Sequence, residues 1–540
     1  MATSFVIGVD VGSRSARAAL VTLKGYILRK AERPLTVREQ KGEIFEQSAE
    51  QIWTAVCECV REVASSVSVD DIKGIGFDAT CSLVITDCDG RPVSVSADGD
   101  NDFNVIMWCD HRAREEADLI NKTHHDVLRR VGGRISPEME PPKLLWLKRH
   151  MPHSFQRIAN AFDLPDYLTH RATGSLARSL CSLTCKWTYD VRKGWSAAFW
   201  REISLEEVAD RPEMIGMPTD VHCPGDCLGT LSDVAAKALG LSGQTKVAAS
   251  LIDAHAGTLG MLGAFAAGIP SEPTTRLCVI AGTSTCHMLL SDTEIFVDGV
   301  WGPYESAIFP RLFLAEAGQS AAGMLLDHLL MSHRCYPDAM ENAARFGLHV
   351  VQYVIQILEN LAASKRCTVD ELTEGLHVYP DFHGNRSPLA DPNMRGMISG
   401  LQMSNSEEDL ALLFLAGVQA LAYQTKHIVE RLEARGHQVK SLLLCGGLVR
   451  NSLYVAAHAN ILQRPVLISE ESDAVLLGSA ILAARASACF EDLQESMREM
   501  SGRASTHWPN VTTATLHSRR YKAFLALLDC QIAIREAMSL

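Results

Sequence analysis

No Gly-x4-Gly-Lys-Ser/Thr segment occurs anywhere in the 540 residues, so the commonest phosphate-binding loop is missing and a P-loop nucleotidase is disfavoured. There is no surplus of positive charge either. Lys and Arg number 51 against 64 Asp and Glu, a formal net charge of −13, which leaves no basic footprint for nucleic acid. Long apolar runs are equally scarce. The stretch Leu251 to Pro270 carries Asp253 and His255, and Ala474 to Phe490 is interrupted by Arg485; both read as buried elements, so no membrane partner is expected. The first apolar stretch holds Asp10, Arg14 and Arg17, which is unlike a secretory leader, and the expected location is the cytoplasm. Zinc-knuckle spacing is absent as well. Of the 16 cysteines, Cys181 with Cys185 and Cys223 with Cys227 are pairs to weigh as metal ligands, but neither has the two intervening residues of a zinc knuckle, and no second tight pair completes four ligands. The rest resemble core thiols of a reducing compartment, such as Cys278 between apolar neighbours.

The chain is too long for one hydrophobic core, so at least two domains are expected. Phe5 to Thr22 reads as strand, polar turn, strand, with a third strand after Gly25. Ser48 and Gln51 form a capping box before a helix carrying Ile52, Val56 and Val63 on one stripe. Strands follow at Ile72 to Asp78 and Ser82 to Thr86, turning at Asp89-Gly90. A Gly/Pro-rich stretch, Gly260 to Pro273, marks a boundary between domains at 1–265 and 270–540. Beyond it, Leu277 to Leu290 repeats the opening theme of apolar strand, glycine-hydroxyl turn, apolar strand. A long amphipathic helix, Glu407 to Arg435, stops at Gly436. Then strand Ser441 to Cys445, the turn Gly446-Gly447 and a helix from Asn451 form a unit suited to touching a nucleotide.

Three patterns carry chemistry. At Gly12-Ser13 and Gly282-Thr283-Ser284, glycine lets backbone N–H groups approach a ligand and hydroxyls add donors, a cradle for phosphate oxygens. Asp10 beside the first turn would repel phosphates unless it held Mg²⁺, directly or through water. Each turn alone reads equally as a tight β-turn; two in matching places favour phosphate. Second, Asp253 follows a strand-like run and precedes small residues, where it can take a hydroxyl proton or cap a helix. His255 is a weaker candidate base, set among Ala and Gly as a packed residue would be. Third, polar groups sit in apolar or aromatic company at Gly76 to Ser82, Trp108 to Arg112, Lys186-Trp187 and Glu316 to Gln319, as sugar sites require. Asp110 and Arg112 could equally be a loop ion pair.

In this order, the segments at 7–13, 108–112, 253–257, 281–284, 316–321 and 444–447 resemble the FGGY carbohydrate kinase family over about residues 5 to 490. Segments at 76–84, 132–140, 179–189 and 380–388 are similar to its ribulokinase branch. The resemblance implies an α/β chain of two actin-like (ribonuclease-H-like) domains around a central cleft. It implies ATP and Mg²⁺, and transfer of phosphate to a ketopentose, D-ribulose to D-ribulose 5-phosphate. Asp253 falls on its catalytic base, and Asp10, Gly12 and Ser13 on the first phosphate loop. Gly282, Thr283 and Ser284 fall on the second loop, Gly446, Gly447 and Asn451 on the adenosine contact, and Gln319 near the nucleotide. Ala79, Lys186 and Glu316 fall near the ketose, with Asp110 and Arg112 on the sugar-side motif. Two departures stand out. Arg14 replaces an expected glycine and would be strained if the turn needs positive φ, and Ala317 replaces another. Alternatives at this stage are a catalytically weak ATP-binding regulator, or a kinase for L-ribulose, xylulose or ribitol. A homodimer is left open.

Overall fold

The protein is described by a computed structural model covering residues 4–40, 43–471 and 473–538. Its core is two mixed sheets of the same plan. In the first, β1 (Phe5–Val11), β2 (Ser15–Thr22) and β3 (Ile27–Pro34) form an antiparallel meander. β4 (Ile72–Ala79) adds parallel to β1, and β5 (Lys246–Ala248) and β6 (Leu251–Ile252) each pair parallel with β4. In the second, β7 (Arg276–Ala281), β8 (Thr285–Ser291) and β9 (Phe313–Gln319) repeat the meander. β10 (Ser441–Cys445) lies parallel to β7, and β11 (Val466–Ser469) parallel to β10. The matching orders, β3-β2-β1-β4-β5 and β9-β8-β7-β10-β11, are the duplication that the two glycine hairpins signal. β1 and β4 are buried almost throughout, as strands covered on both faces must be.

The helices form largely where the pattern predicts. α1 (Ala49–Ala64) starts at Ser48, whose hydroxyl accepts from Gln51 N, and buries Ile52, Val56 and Val63. α3 (Glu407–Glu433) ends two residues before the predicted Arg435, and Gly436 turns the chain at φ 108°. α4 (Ser452–Leu462) follows β10.

Two further helices join the sheets, and they are exchanged. α2 (Asp253–Leu262) lies close to the second sheet: a Cβ on its Gly257 would stand 3.5 Å from Ile280 and 3.9 Å from Cys445. α5 (Ala474–Ala486), late in the chain, lies on the first sheet instead. A Cβ on Gly8 or Gly76 would overlap the α5 carbonyls of Leu476 or Ser479. The two helices cross at Gly260 and Gly478, where backbone meets backbone. Glycine and alanine allow that approach; bulkier side chains would hold the helices apart by several ångströms. The apolar interior is therefore continuous from one sheet to the other. A boundary drawn only at residue 265 assigns α5 to the half whose sheet it does not cover.

Candidate active site

The parallel pairing decides where the acids meet. Val11 pairs with Ala79, and Ala79 with Ile252, so β1, β4 and β6 end side by side. Asp10 and Asp78 lie one residue before those ends, and Asp253 one residue after. Asp253 is the first residue of α2, and its Oδ1 accepts from Ala254 N at 2.7 Å. It is thus inside the helix, and Ile252 holds the N-cap position. Burial, reinforced by the Asp10 charge, pushes its carboxyl up to about 6, against the pull of the Ala254 amide and Lys186.

Asp10 is buried and is held by Arg17, its cross-strand partner on β2, whose Nε donates to Oδ2 at 2.8 Å. Arg17 also reaches Asp473, just before α5, at 3.0 Å. Asp78 is fully buried, with the Ser479 hydroxyl of α5 donating to Oδ2. Burial and the Asp10 charge raise the Asp78 carboxyl well above its ordinary value.

Both glycine turns close hairpins, the first one residue longer than the second. Gly12 N donates to Ser15 O, and Gly282 N to Ser284 O, each at 2.9 Å. A Cβ on Gly12 would meet nothing nearer than 3.7 Å, so its outer side is open. Ser13 Oγ accepts from Trp108 Nε1 at 2.9 Å and keeps its own proton to donate. Trp108 thereby ties the loop that carries Asp110 and Arg112 to the Gly12-Ser13 turn. Arg14 is not among the residues with positive φ; its side chain is exposed and pairs with Glu39 at 2.7 Å. The turn therefore tolerates arginine without strain. In the second hairpin Thr283 is exposed, and its carbonyl accepts from Ala322 N at 2.8 Å. Gly446 sits beside it at φ 93°, where a Cβ would overlap the Ala281 carbonyl, so only glycine lets β10 pass so near the hairpin. Gly447 has open space around it.

The sugar-side candidates separate into two groups. Lys186 and Glu316 are both buried near Asp253, and the Lys186 ammonium lies 4.8 Å from the Trp301 ring centre. Burial alone would raise the Glu316 carboxyl, but Lys186, His255 and Arg386 hold it down at about 2. Ala79 is fully buried at the end of β4, one residue beyond Asp78. Asp110 and Arg112 are different. Asp110 Oδ1 accepts from Arg112 N and Nε, and Oδ2 from Arg112 Nη2 and Phe45 N, while Arg112 also bonds Glu46 and the Val95 carbonyl. This is the loop ion pair of the two readings, buried and mutually occupied, and it stiffens the loop that carries Trp108.

Two nucleotide-side residues also have internal duties. Asn451 caps α4, its Oδ1 accepting from Leu453 N at 3.1 Å. Gln319 is buried and donates to the Leu421 carbonyl of α3 at 2.8 Å. Ala317 packs in the core of the second half, while Gly318 next to it makes room for Arg386, whose Cδ would lie 2.8 Å from an added Cβ. His255 is buried and doubly engaged, by Cys181 Sγ at 2.9 Å and Glu316 Oε2 at 3.3 Å, so it offers no free nitrogen to a substrate.

The strongest groups that sequence reasoning missed are Glu138, Arg386, Trp301 and Arg17. Glu138 and Arg386 approach to 3.5 Å across 248 residues of chain, and His111 approaches Glu138 at 3.7 Å. Burial would raise the Glu138 carboxyl, but Arg386 and His111 hold it at about 2. Arg17 had a visible signal: a lone arginine within the apolar run Ser15–Thr22. A cavity of about 410 Å³ lined by Arg129, Phe296 and Arg435 among others shares no residue with this constellation.

Comparison with known proteins agrees with this arrangement. Residues 5–260 match the FGGY family of carbohydrate kinases, N-terminal domain, and residues 277–487 its C-terminal domain. An FGGY carbohydrate kinase domain-containing protein of Danio rerio is 46% identical over 548 residues, covering 100% of this chain and 99% of the relative. The D-ribulokinase of Saccharomyces cerevisiae is 39% identical, covering 93% of this chain and 74% of its own length. Among solved structures, a ligand-bound xylulose kinase from Lactobacillus acidophilus superposes with a TM-score of 0.80 at 18% identity, over 98% of this chain and 99% of that one. That likeness fixes the fold as two actin-like domains. No helix among the described residues is long and apolar enough to cross a membrane. Paired sheets with phosphate-sized hairpins, an acid between them and full-length similarity lead to one conclusion: the chain belongs to the FGGY family of carbohydrate kinases and is an ATP-using sugar kinase.

Proposed function

We propose that the protein phosphorylates the terminal C5 hydroxyl of a ketopentose, D-ribulose before its isomers, with Asp253 as general base. The observation that carries this reading is the position of Asp253: at the end of a parallel strand, beside Asp10, with Lys186 and Glu316 in electrostatic reach. The 39% identity to a yeast D-ribulokinase, over 93% of this chain, supports D-ribulose as the acceptor.

The residues fit ATP and Mg²⁺. The open space beside Gly12 and Gly447 and the exposed Thr283 leave room for a ligand to approach the backbone, and Asp10 is a buried carboxylate beside Gly12. Because Arg17 already occupies Asp10 Oδ2, Asp10 suits a metal held through water. Bound MgATP supplies the phosphoryl group and neutralises its charge. The chain's own residues do the rest. Asp253 takes the proton from the C5 oxygen. The Gly12-Ser13 and Gly282-Ser284 turns direct N–H and hydroxyl donors at phosphoryl oxygens. Lys186 and Glu316 orient the ketose over Trp301, and Ala79 leaves room for it. Gly446, Gly447 and the amide of Asn451 border the nucleoside. Two domains divided near residues 265–270, with α5 crossing back, close to exclude water.

The test incubates the protein with ATP and, separately, D-ribulose, L-ribulose, D-xylulose and ribitol, and identifies each product by NMR. D-ribulose 5-phosphate formed with the highest kcat/KM is expected; a preference for another acceptor reassigns the substrate, and no sugar-dependent turnover leaves an ATP-binding regulator. Two variants extend it. Arg14→Gly should change kcat by no more than about twofold, because exposed ion pairs contribute only tenths of a kcal/mol. Arg386→Met should raise the sugar KM by about 10- to 100-fold, since it strips a buried charged partner from Glu138 and Glu316.

A further inference from the structure

The Cys181–Cys185 pair lacks metal-site spacing in the sequence, but the fold supplies what the spacing does not. Cys181 and Cys185 stand one turn apart on the helix Leu180–Lys186, so both sulfurs lie on one face. His255, from α2, meets them there. The two Sγ atoms and one imidazole nitrogen all lie within 4.8 Å of one another, and all three residues are buried. We propose that Cys181, Cys185 and His255 form a binding site for a thiophilic divalent cation, zinc, behind the wall of the sugar pocket.

Three observations support a ligand rather than three packed side chains. First, the imidazole is oriented as metal-binding histidines are. Nδ1 faces the sulfurs, and Nε2 faces the Glu316 carboxylate at 3.3 Å, so a carboxylate, the imidazole and the metal position fall in line. Second, Cys181 Sγ is within 3.5 Å of the Ile252 backbone N–H, the kind of outer hydrogen bond that a metal-bound sulfur accepts. Third, the donor set is two sulfurs and one nitrogen with no carboxylate among them. Such a set selects zinc over magnesium, so the site would not compete for the metal that accompanies ATP. Binding releases two thiol protons, and the resulting two thiolate charges balance the cation. The present 2.9 Å between Cys181 Sγ and His255 Nδ1 is a hydrogen bond, and metal entry would spread the pair by about 0.6 Å to reach ordinary bond lengths. The inference stands apart from the choice of sugar, because its readout is the metal itself.

The protein should be produced in zinc-supplemented medium, desalted against a weak chelator that strips surface thiols, and analysed for metal. About one zinc per chain is expected, with X-ray absorption showing two sulfurs at about 2.3 Å and a nitrogen at about 2.0 Å. The double variant Cys181→Ser, Cys185→Ser should hold at least tenfold less. The proposal is overturned if wild type keeps no more zinc than the double variant, or if its zinc is bound only by oxygen or by one sulfur. Should the double variant fail to fold, the absorption spectrum of wild type decides alone.

Discussion

Asp253→Asn is expected to lower kcat by about 10²- to 10⁴-fold, the range general-base catalysis contributes, and to leave the KM for ATP nearly unchanged. Asparagine matches aspartate in shape and can still accept from Ala254 N, so the start of α2 should survive. What disappears is the ability to take a proton. The same substitution should raise thermal stability. The Asp253 carboxyl lies at about 6 in the folded chain against an ordinary 3.8, so the folded state binds its proton more tightly than the unfolded state does. As pH rises from 3.8 through 6, folding therefore loses stability, and above 6 the whole cost of a buried anion beside Asp10 remains. A two-unit shift corresponds to about 3 kcal/mol, and partial exposure to solvent reduces it to about 1–2 kcal/mol. Neutral asparagine removes that cost. A melting temperature that rises while turnover collapses identifies a chemical role, because a merely structural aspartate would show both falling. A variant with wild-type turnover sinks the base assignment.

The pH profile of the wild type checks the same point without a mutation. The base works only when ionised, so kcat/KM for the sugar should climb about tenfold per pH unit below 6 and level off above it. A carboxyl with an ordinary value would put that bend near 4 instead.

How far the site could be read from the chain depends on sequence distance. Local devices were legible: the two hairpins, the strand–Gly-Gly–helix unit and the acid at a strand end each declare themselves within a dozen residues. The duplication was legible because both halves repeat a meander that a glycine turn interrupts. Contacts made by register were not. That Asp10, Asp78 and Asp253 stand in a row follows from Val11 pairing with Ala79 and Ala79 with Ile252, and no local pattern states which strands will be neighbours. Glu138 and Arg386 sit within segments that resemble the ribulokinase branch, yet nothing in either segment says that one closes on the other. Double duty was also hidden. Asn451 as a cap and Asp110 with Arg112 as a saturated pair obey the same residue preferences as ligand-binding side chains, so composition cannot separate the roles.

Gly478→Ala should destabilise the protein by about 3 kcal/mol or more, the upper range for overpacking, although the same change in an ordinary helix stabilises by up to about 1 kcal/mol. Gly478 lies on α5, where an added Cβ would overlap the Ala256 carbonyl oxygen of α2 and crowd the Ala256 Cα at 3.0 Å. Neither helix can retreat. α2 carries Asp253 at its first turn, and α5 is pressed on the first sheet through Gly8 and Gly76. Any shift that relieves Gly478 therefore moves the base relative to the hairpins, and turnover should fall together with stability. Gly243→Ala is the control. Its φ is not positive and no atom lies within 4 Å of an added Cβ, so it should be neutral or slightly stabilising by lowering the entropy of the unfolded chain. Urea unfolding of the two variants beside wild type measures the difference. A Gly478→Ala midpoint equal to that of Gly243→Ala would mean that the helices part without cost and that the crossing does not hold the two sheets in place. A large loss confined to Gly478→Ala would tie the geometry of the base to a backbone contact more than 200 residues away in sequence.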